Sequence, residues 1–515
     1  MTGTTDNQDE VLAFLGDTAT YGGTKVKRID THAASVFLAG DRVLKMKRAV
    51  RFPFLDYSTL DKRKAACEAE LAVNAPYAPE IYRGVTPITR EADGRLAIAG
   101  SGAPVEWAVE MRRFDETRTL DHITGAIDEA LADALGRAVA AAHDKAPKVD
   151  AEPWIAALGS YIDEHAAAFA EHPEIFPAAA NETLAAKSRA AYARIVPFLR
   201  ERGRSGFVRR IHGDLHLGNI ALIDGKPVLF DAIEFSPIIA SGDVFYDLAF
   251  LLMDLLERGL PQAANIVLNR YLIAARRDEN LDALMTLPFF LAVRAAIRAM
   301  VAVPRMARAA ASERAEIARE ARAYFDFALR AITPPKPRCV AVGGLSGTGK
   351  SRLARMLAAD LLPMPGAVVV RSDVERKALF GVGETEKLPG EAYRADVTAR
   401  VYATLADKAR RTLAAGHSVI VDAVFGRADE RAAIAATARA AATRLEGLFL
   451  TADVATRIAR VGGRVRDASD ADAKVALAQE SYDLGSLDWA NVDASGTPEQ
   501  TLARAAAALR IDRAR

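Results

Sequence analysis

Gly344-Leu-Ser-Gly-Thr-Gly-Lys-Ser351 is a complete G-x-x-x-x-G-K-[ST] pattern, and its reading decides the fold of the last third of the chain. Cys339-Val-Ala-Val-Gly343 before it is a short buried-strand pattern, and Arg352-Leu-Ala-Arg-Met-Leu-Ala358 after it has helical periodicity. Strand, glycine loop and helix therefore come in the order that a phosphate-binding loop requires. Gly344, Gly347 and Gly349 let the backbone N–H groups of the loop, with Ser346 and Thr348, wrap round phosphate oxygens. Lys350 can reach the β- and γ-phosphates, and the Ser351 hydroxyl can ligate Mg²⁺ at the helix N-terminus.

Downstream, Gly366-Ala-Val-Val-Val-Arg371, His417-Ser-Val-Ile-Val-Asp-Ala423, Gly447-Leu-Phe-Leu-Thr451 and Asn491-Val-Asp-Ala-Ser495 alternate with helical segments. That order predicts an α/β domain, a parallel sheet with helices on both faces and ligands at the carboxyl ends of its strands. Asp373 and Asp422 fall at such ends, and no Glu follows Asp422, which argues for direct phosphoryl transfer over a mechanical ATPase. Arg457-Ile-Ala-Arg-Val-Gly-Gly-Arg-Val-Arg466 has four arginines in ten residues beside a Gly-Gly hinge. It reads as a mobile lid that brings guanidinium charge to the phosphate, with Arg464 the first candidate and Arg460 the second.

Upstream, Ile332-Thr-Pro-Pro-Lys-Pro-Arg338 reads as a stiff linker, so the predicted domains are residues 1–331 and 339–515 with 332–338 between them. The 515 residues carry a net charge of only +1, which supplies no global field for nucleic acid or an anionic membrane. Two distant cysteines exclude a disulfide framework, and no basic-apolar leader or long apolar run is found, so a cytoplasmic protein without a membrane partner is expected.

The first domain opens on strand patterns at Lys25–Thr31, Ser35–Ala39 and Arg42–Lys47, an antiparallel meander. Ser58 and Asp61 stand at capping-box spacing before a charged helix ending near Asn74. Further strands are expected at Gly84–Thr89, Arg95–Ala99 and Glu106–Arg112, with mostly helix from Leu120 to Leu199. This is an α+β order: a small β-rich lobe (about 20–112), then a helical lobe (about 113–331). Ile211-His-Gly-Asp-Leu-His-Leu-Gly-Asn-Ile220 and Val228-Leu-Phe-Asp-Ala-Ile-Glu-Phe235 put an Asp, an Asn and a second Asp around one nucleotide, as phosphoryl transfer needs.

These residues resemble the aminoglycoside-phosphotransferase-like branch of the protein-kinase-like fold, whose loop reads H-G-D-x-x-x-x-N. The resemblance implies a bilobal domain in which Asp214 is catalytic, Asn219 and Asp231 bind metal, and Asp247 braces the loop. Lys45 would hold the α- and β-phosphates, with Glu70 preferred over Glu68 as its acidic partner, Lys47 its rival, and Met111 counted among the nucleotide-binding residues. His212 would pack under the loop, and Thr31-His-Ala-Ala-Ser35 lacks the glycines of a kinase phosphate cover.

The last third resembles the small P-loop kinases of the polynucleotide-kinase, gluconate-kinase and chloramphenicol-phosphotransferase kind. By that likeness Asp373 orients or deprotonates an acceptor hydroxyl, and Arg376 contacts the acceptor. The whole chain resembles bacterial fusions of the two domain types. The implied activity is phosphoryl transfer from ATP, or GTP, with Mg²⁺ to small-molecule hydroxyls at two sites. Two alternatives remain: a nucleotide-sensing domain regulating one kinase, and a C-terminal kinase for nucleic-acid 5′ ends.

Overall fold

Period-2 alternation of apolar residues draws the start of the chain into a six-stranded antiparallel sheet, in a computed structural model that describes residues 7–52, 55–462 and 468–511. Helix α1 (Asp9–Gly16) precedes strands β1 (Val26–Asp30), β2 (Ala34–Ala39) and β3 (Arg42–Lys47). A two-residue ribbon, β4 (Arg51–Phe52) with β5 (Leu55–Asp56), leads to helix α2 (Leu60–Asn74), then β6 (Tyr82–Arg90), β7 (Leu96–Ile98) and β8 (Ala103–Arg112). The sheet order is β1-β2-β3-β8-β6-β7.

One face, with Phe37, Leu44, Met46 and Ala108, packs on Val11 and Leu15 of α1. The other, with Leu38, Val43, Val109 and Met111, packs on Cys67, Ala78 and Ile81. Lys45 and Lys47 share the second face with Val43 because side chains alternate along β3. The cap of α2 is Thr59, which accepts from the Lys62 N–H at 3.4 Å; the expected Ser58 is instead bonded to Asp56 at 2.6 Å. Arg63, Cys67, Glu70 and Asn74 are buried at helical spacing, so this charged helix turns a partly polar face inward.

Helices α3 (Glu129–Lys145), α4 (Glu152–Ala170) and α5 (Ala178–Arg204) follow, then the short strands β9 (Val208–Arg210), β10 (Ile220–Ile223), β11 (Lys226–Leu229) and β12 (Ser241–Asp243). β10 and β11 form a hairpin turned at Asp224-Gly225, and β12 pairs antiparallel with β9. Helices α6 (Val244–Glu257), α7 (Pro261–Ala275), α8 (Glu279–Asp282), α9 (Leu287–Arg308) and α10 (Ala311–Ala331) complete the helical part. The stretch Glu279–Met306 is long and apolar enough to cross a bilayer, with mean hydropathy 1.7, but 67% of its apolar window is buried in the fold as a core helix would be.

The last third is a parallel five-stranded sheet in the order β14-β15-β13-β16-β17: β13 (Cys339–Gly344), β14 (Val368–Arg371), β15 (Val419–Asp422), β16 (Leu445–Thr451) and β17 (Ala490–Asp493). Helices α11 (Lys350–Ala358), α12 (Ser372–Leu379), α13 (Ala395–Ala414), α14 (Ala428–Ala440), α15 (Val454–Gly462), α16 (Ala473–Ala478) and α17 (Pro498–Ala508) join its strands. Val340, Val342, Ile420, Leu448 and Leu450 form the core with α11 and α17.

The chain forms two compact units, residues 1–161 with 196–254 and residues 162–195 with 255–515. The division does not follow the Pro-rich stretch, because α7 binds the C-terminal sheet and α8 binds α13. Asn265 Nδ2 donates to Ala367 O at 3.0 Å, the Val369 N–H donates to Asn269 Oδ1 at 2.7 Å, and Arg411 of α13 pairs with Asp282 at 2.8 Å.

Candidate active sites

In the first unit, β3 and α2 bring Lys45 and Glu70 together. Lys45 Nζ lies 2.8 Å from Glu70 Oε1 and 2.6 Å from Asp231 Oδ1. Lys47 lies 2.6 Å from the other Glu70 oxygen and also pairs with Glu234, so both candidate lysines use one fully buried carboxylate. Only Lys45 also reaches Asp231. Burial alone would lower the Lys45 pKa, but the charges of Asp231 and Glu70 prevail and hold it well above the ordinary lysine value. Glu68 is exposed and faces Lys64 at 3.8 Å.

The catalytic-loop candidates are ordered by backbone and side-chain bonds. Asn219 Nδ2 donates to Asp214 Oδ2 at 3.0 Å and to Asp214 O at 2.9 Å. Asp247, fully buried, accepts from the N–H groups of His212 and Gly213, both at 3.0 Å, and meets His143 Nε2 at 3.2 Å. His212 is buried under the loop with Nε2 at 2.9 Å from Phe230 O, and burial depresses its pKa, so the ring is a neutral strut. The Phe230 N–H donates to Asn219 O and the Ile233 N–H to His212 O, which lays Asp231 beside the loop. Asp231 itself has φ +61°. Asp214 and Asp231 both present partly exposed carboxylates.

Met111 is buried beside Val43 in the β3–β8 register and belongs to the sheet's apolar core. The glycine-free tip between β1 and β2 is closed by Arg48, which donates from Nη1 to Thr31 O at 2.7 Å and from its N–H to Ala33 O at 2.8 Å. Sequence reasoning missed His143, and Asp254, which accepts from the Leu217 N–H at 2.9 Å. Neither carries a local signal: His143 stands beside Asp144 and Lys145 at a helix end, and Asp254 is a single polar residue in an apolar run.

In the second unit the glycine loop follows β13 and opens α11, as its pattern required. Gly347 has φ +88°, and a Cβ there would lie 2.5 Å from Arg457 O; one at Gly344 would lie 2.7 Å from Leu450 O. Lys350 Nζ donates to Leu345 O at 3.1 Å, and Thr348 Oγ1 to the same oxygen at 2.8 Å. Ser346 is held from both sides: its N–H donates to Gln479 Oε1 at 2.6 Å, and Arg457 Nη1 lies 3.5 Å from its carbonyl. Arg457, buried, also donates to Ala476 O at 3.2 Å and pairs with Glu480. The first arginine of the expected lid is thus a strut, and Gln479 carried no sequence signal.

Arg460 lines a cavity at the glycine loop and donates to Gly496 O at 2.9 Å. Arg464 lies outside the described residues.

A cavity of about 1530 Å³ spans the glycine loop including Ser351, the ends of β14 and β15, and the segments after α15. Asp373 lines it. Burial and the neighbouring Asp422 raise the Asp373 pKa, against the pull of Arg371 and Lys350 and a hydrogen bond from Ser469. Asp422 is buried and paired with Arg371 at 3.3 Å. Arg376 donates to Ala392 O at 2.6 Å and lies over the Tyr393 ring at 4.9 Å. Asp470 joins Lys377 at 2.9 Å and accepts from the Tyr393 hydroxyl at 2.7 Å, tying the segment before α16 to α12 and to Tyr393.

Both sites therefore place a lysine beside carboxylates or a glycine-loop helix terminus, the chemistry of phosphoryl transfer. Residues 34–284 match the phosphotransferase enzyme family (APH), and residues 340–482 match an AAA domain family (AAA_33). The chain joins an APH phosphotransferase domain to a P-loop kinase-type domain, and it is a phosphotransferase.

It is 29% identical over 499 residues to an uncharacterized protein of Mycobacterium tuberculosis, covering 92% of this chain and 94% of that one. Among solved structures it resembles an aminoglycoside phosphotransferase from Streptomyces rimosus (20% identity, TM-score 0.33, 55% of this chain and 97% of that one). It also resembles a gluconokinase from Sinorhizobium meliloti (19% identity, TM-score 0.26, 34% of this chain and 92% of that one).

Proposed function

We propose that the protein is a cytoplasmic, ATP-dependent phosphotransferase with two nucleotide sites, each transferring the γ-phosphoryl group to a hydroxyl of a small molecule. The observation that carries this reading is Lys45 bound to both Glu70 and Asp231 in a chain that also holds a complete glycine loop at Lys350. At the first site Asp214 takes the acceptor proton and Lys45 holds phosphate oxygens. At the second, Asp373 takes the proton while the loop N–H groups and Lys350 hold the phosphates.

Asn219 with Asp231, and Ser351 at the second site, are hard oxygen donors that fit Mg²⁺, an ion usually bound by one or two protein oxygens with water and phosphate completing the shell. Among the described residues no group of three or more His, Cys, Asp or Glu side chains could hold a metal on its own. Bound Mg²⁺ would neutralise charge on the β- and γ-phosphates.

Titration with ATP and Mg²⁺ should show two sites per chain in the native protein and one in Lys350→Ala or in Lys45→Ala. ATP consumption should fall in Asp214→Asn and Lys350→Ala, each by its own share. Turnover lost in Lys350→Ala alone would make the N-terminal site a nucleotide sensor, and turnover changed by neither substitution would overturn the two-site reading.

A further inference from the structure

The cavity at the glycine loop exceeds the roughly 300–1,000 Å³ usual for one small ligand. Its excess lies beyond Asp373, between α13 and α14, where the wall is aromatic and small. Phe425, three residues past the β15 end, meets Tyr402 edge-on at 5.6 Å and Trp489 at 5.0 Å. Tyr482 is half exposed, lines the cavity and covers Gly426, where a Cβ would lie 3.4 Å from the Tyr482 ring. Ala399, Ala403 and Ala433 are exposed alanines on the facing helices and leave the compartment open.

This wall is built rather than incidental. Buried Arg431 donates to Phe425 O at 2.9 Å, Gly426 O at 3.2 Å, Leu484 O at 2.6 Å and Ser486 O at 3.0 Å, fixing the Phe425 loop against the Tyr482 segment. The Phe425 N–H donates to the Tyr402 hydroxyl at 3.0 Å.

Charge distinguishes the two halves of the cavity. Among the described residues, Lys350, Arg352 and Arg355 lie on α11 and Arg460 on α15. Beyond Asp373 the lining cations among the described residues are two. Arg427 is clamped by both Asp429 oxygens at 2.9 and 2.8 Å, and Arg376 is engaged by Ala392 O and the Tyr393 ring. Glu430 and Asp483 line the same half. A phosphate or carboxylate on the acceptor would meet Glu430 and Asp483 there and would compete with Asp429 for Arg427 and with Ala392 O for Arg376, whereas a flat uncharged ring finds aromatic faces.

We propose that this compartment seats the ring of an uncharged alcohol, and that the C-terminal site phosphorylates ring-bearing alcohols rather than sugar acids, sugar phosphates or nucleic-acid 5′ ends. The proposal rests on the phosphotransferase reading above. The acceptor oxygen forms a bond to the γ-phosphorus of ATP as the bond from that phosphorus to the bridging oxygen breaks. ADP leaves, and the hydroxyl proton passes to Asp373.

The test uses the full chain with Asp214→Asn, so that only the C-terminal site turns over. 2-Phenylethanol and thymidine are compared with gluconate, glucose 6-phosphate and a 5′-hydroxyl oligonucleotide, reading ADP release and labelled product. At least one ring alcohol should raise ADP release tenfold or more, and the anionic compounds should not. Ala403→Trp, which fills the compartment from an exposed helix face, and Tyr482→Ala should each raise KM for that alcohol tenfold or more with KM for ATP unchanged.

Preferred turnover of an anionic acceptor, no response to either ring alcohol while ATP still binds through Lys350, or indifference of the ring-alcohol KM to both substitutions overturns the proposal and leaves the kinase reading standing. Absence of any Lys350-dependent ATP binding overturns the kinase reading itself.

Discussion

Lys45 and Lys350 hold the same place in the proposed chemistry and are kept in place by opposite means. Lys45 sits among Glu70, Asp231 and Lys47, side chains gathered from a strand, a helix and a distant loop, with Glu70 and Lys47 shut off from water and Asp231 partly open to it. Lys350 leans on the carbonyl of Leu345, five residues back in the same loop. The first site depends on a balance of buried charges, and the second on the absence of side chains from a bent backbone. Damage to the first should therefore appear as lost stability, and damage to the second as lost nucleotide binding.

The sharpest way to break that contrast is Gly347→Ala. Its Cβ would collide with Arg457 O, and its φ disfavours an L side chain, so ATP binding at the C-terminal site should fall at least a hundredfold while the N-terminal site still titrates. Next is Glu70→Gln, which strips the buried lysines of a shared carboxylate; unfolding should become easier by about 3–5 kcal/mol in denaturant titration, with the glycine loop still binding ATP. A comparable loss of ATP binding at the glycine loop would show that the two sites are not built independently.

A third test is pH. Because the Asp373 carboxyl is raised and, in its proposed role, works deprotonated, C-terminal turnover should fall on acidification at a pH above the ordinary Asp value of about 3.9. The acid limb at the Asp214 site, measured in Lys350→Ala, serves as the reference. The smallest effect belongs to Gln479→Ala. Losing the acceptor for the Ser346 N–H should weaken C-terminal ATP binding by about 1 kcal/mol, roughly fivefold in KM, without touching the first site.

The sequence made the second site more legible than the first, for the same reason that the two differ. A glycine loop is contiguous, so its residues announce one another, and four of the five parallel strands lie in apolar runs, the fifth being the mostly polar Ala490-Asn-Val-Asp493. Asp214, Asn219 and Asp231 were readable because one loop and one hairpin fix their spacing. The choice between Lys45 and Lys47, or Glu68 and Glu70, was a question of faces. The buried series Arg63, Cys67, Glu70 and Asn74 answers it for the helix, a signal present in the spacing but hidden by the helix's high charge.

The alternation along β3 could not separate its two lysines, since both point to Glu70 and only the remote Asp231 distinguishes them. Arg457 looked like a mobile cation because its neighbours are arginines. Only packing shows that it is a strut, and nothing local marks Gln479 or Asp254 as loop clamps.

The asparagines of α7 have a practical bearing on how this chain can be divided. Strand β14 ends the C-terminal sheet, and its outer row of polar groups would otherwise invite another strand. Asn265 and Asn269 occupy that row, accepting the Val369 N–H and donating to Ala367 O. Cutting at the prolines would remove the guard from one fragment and strand two amides on the other. A protein severed at 332–338 should self-associate through β14 in light scattering, whereas the uncut chain should remain monodisperse.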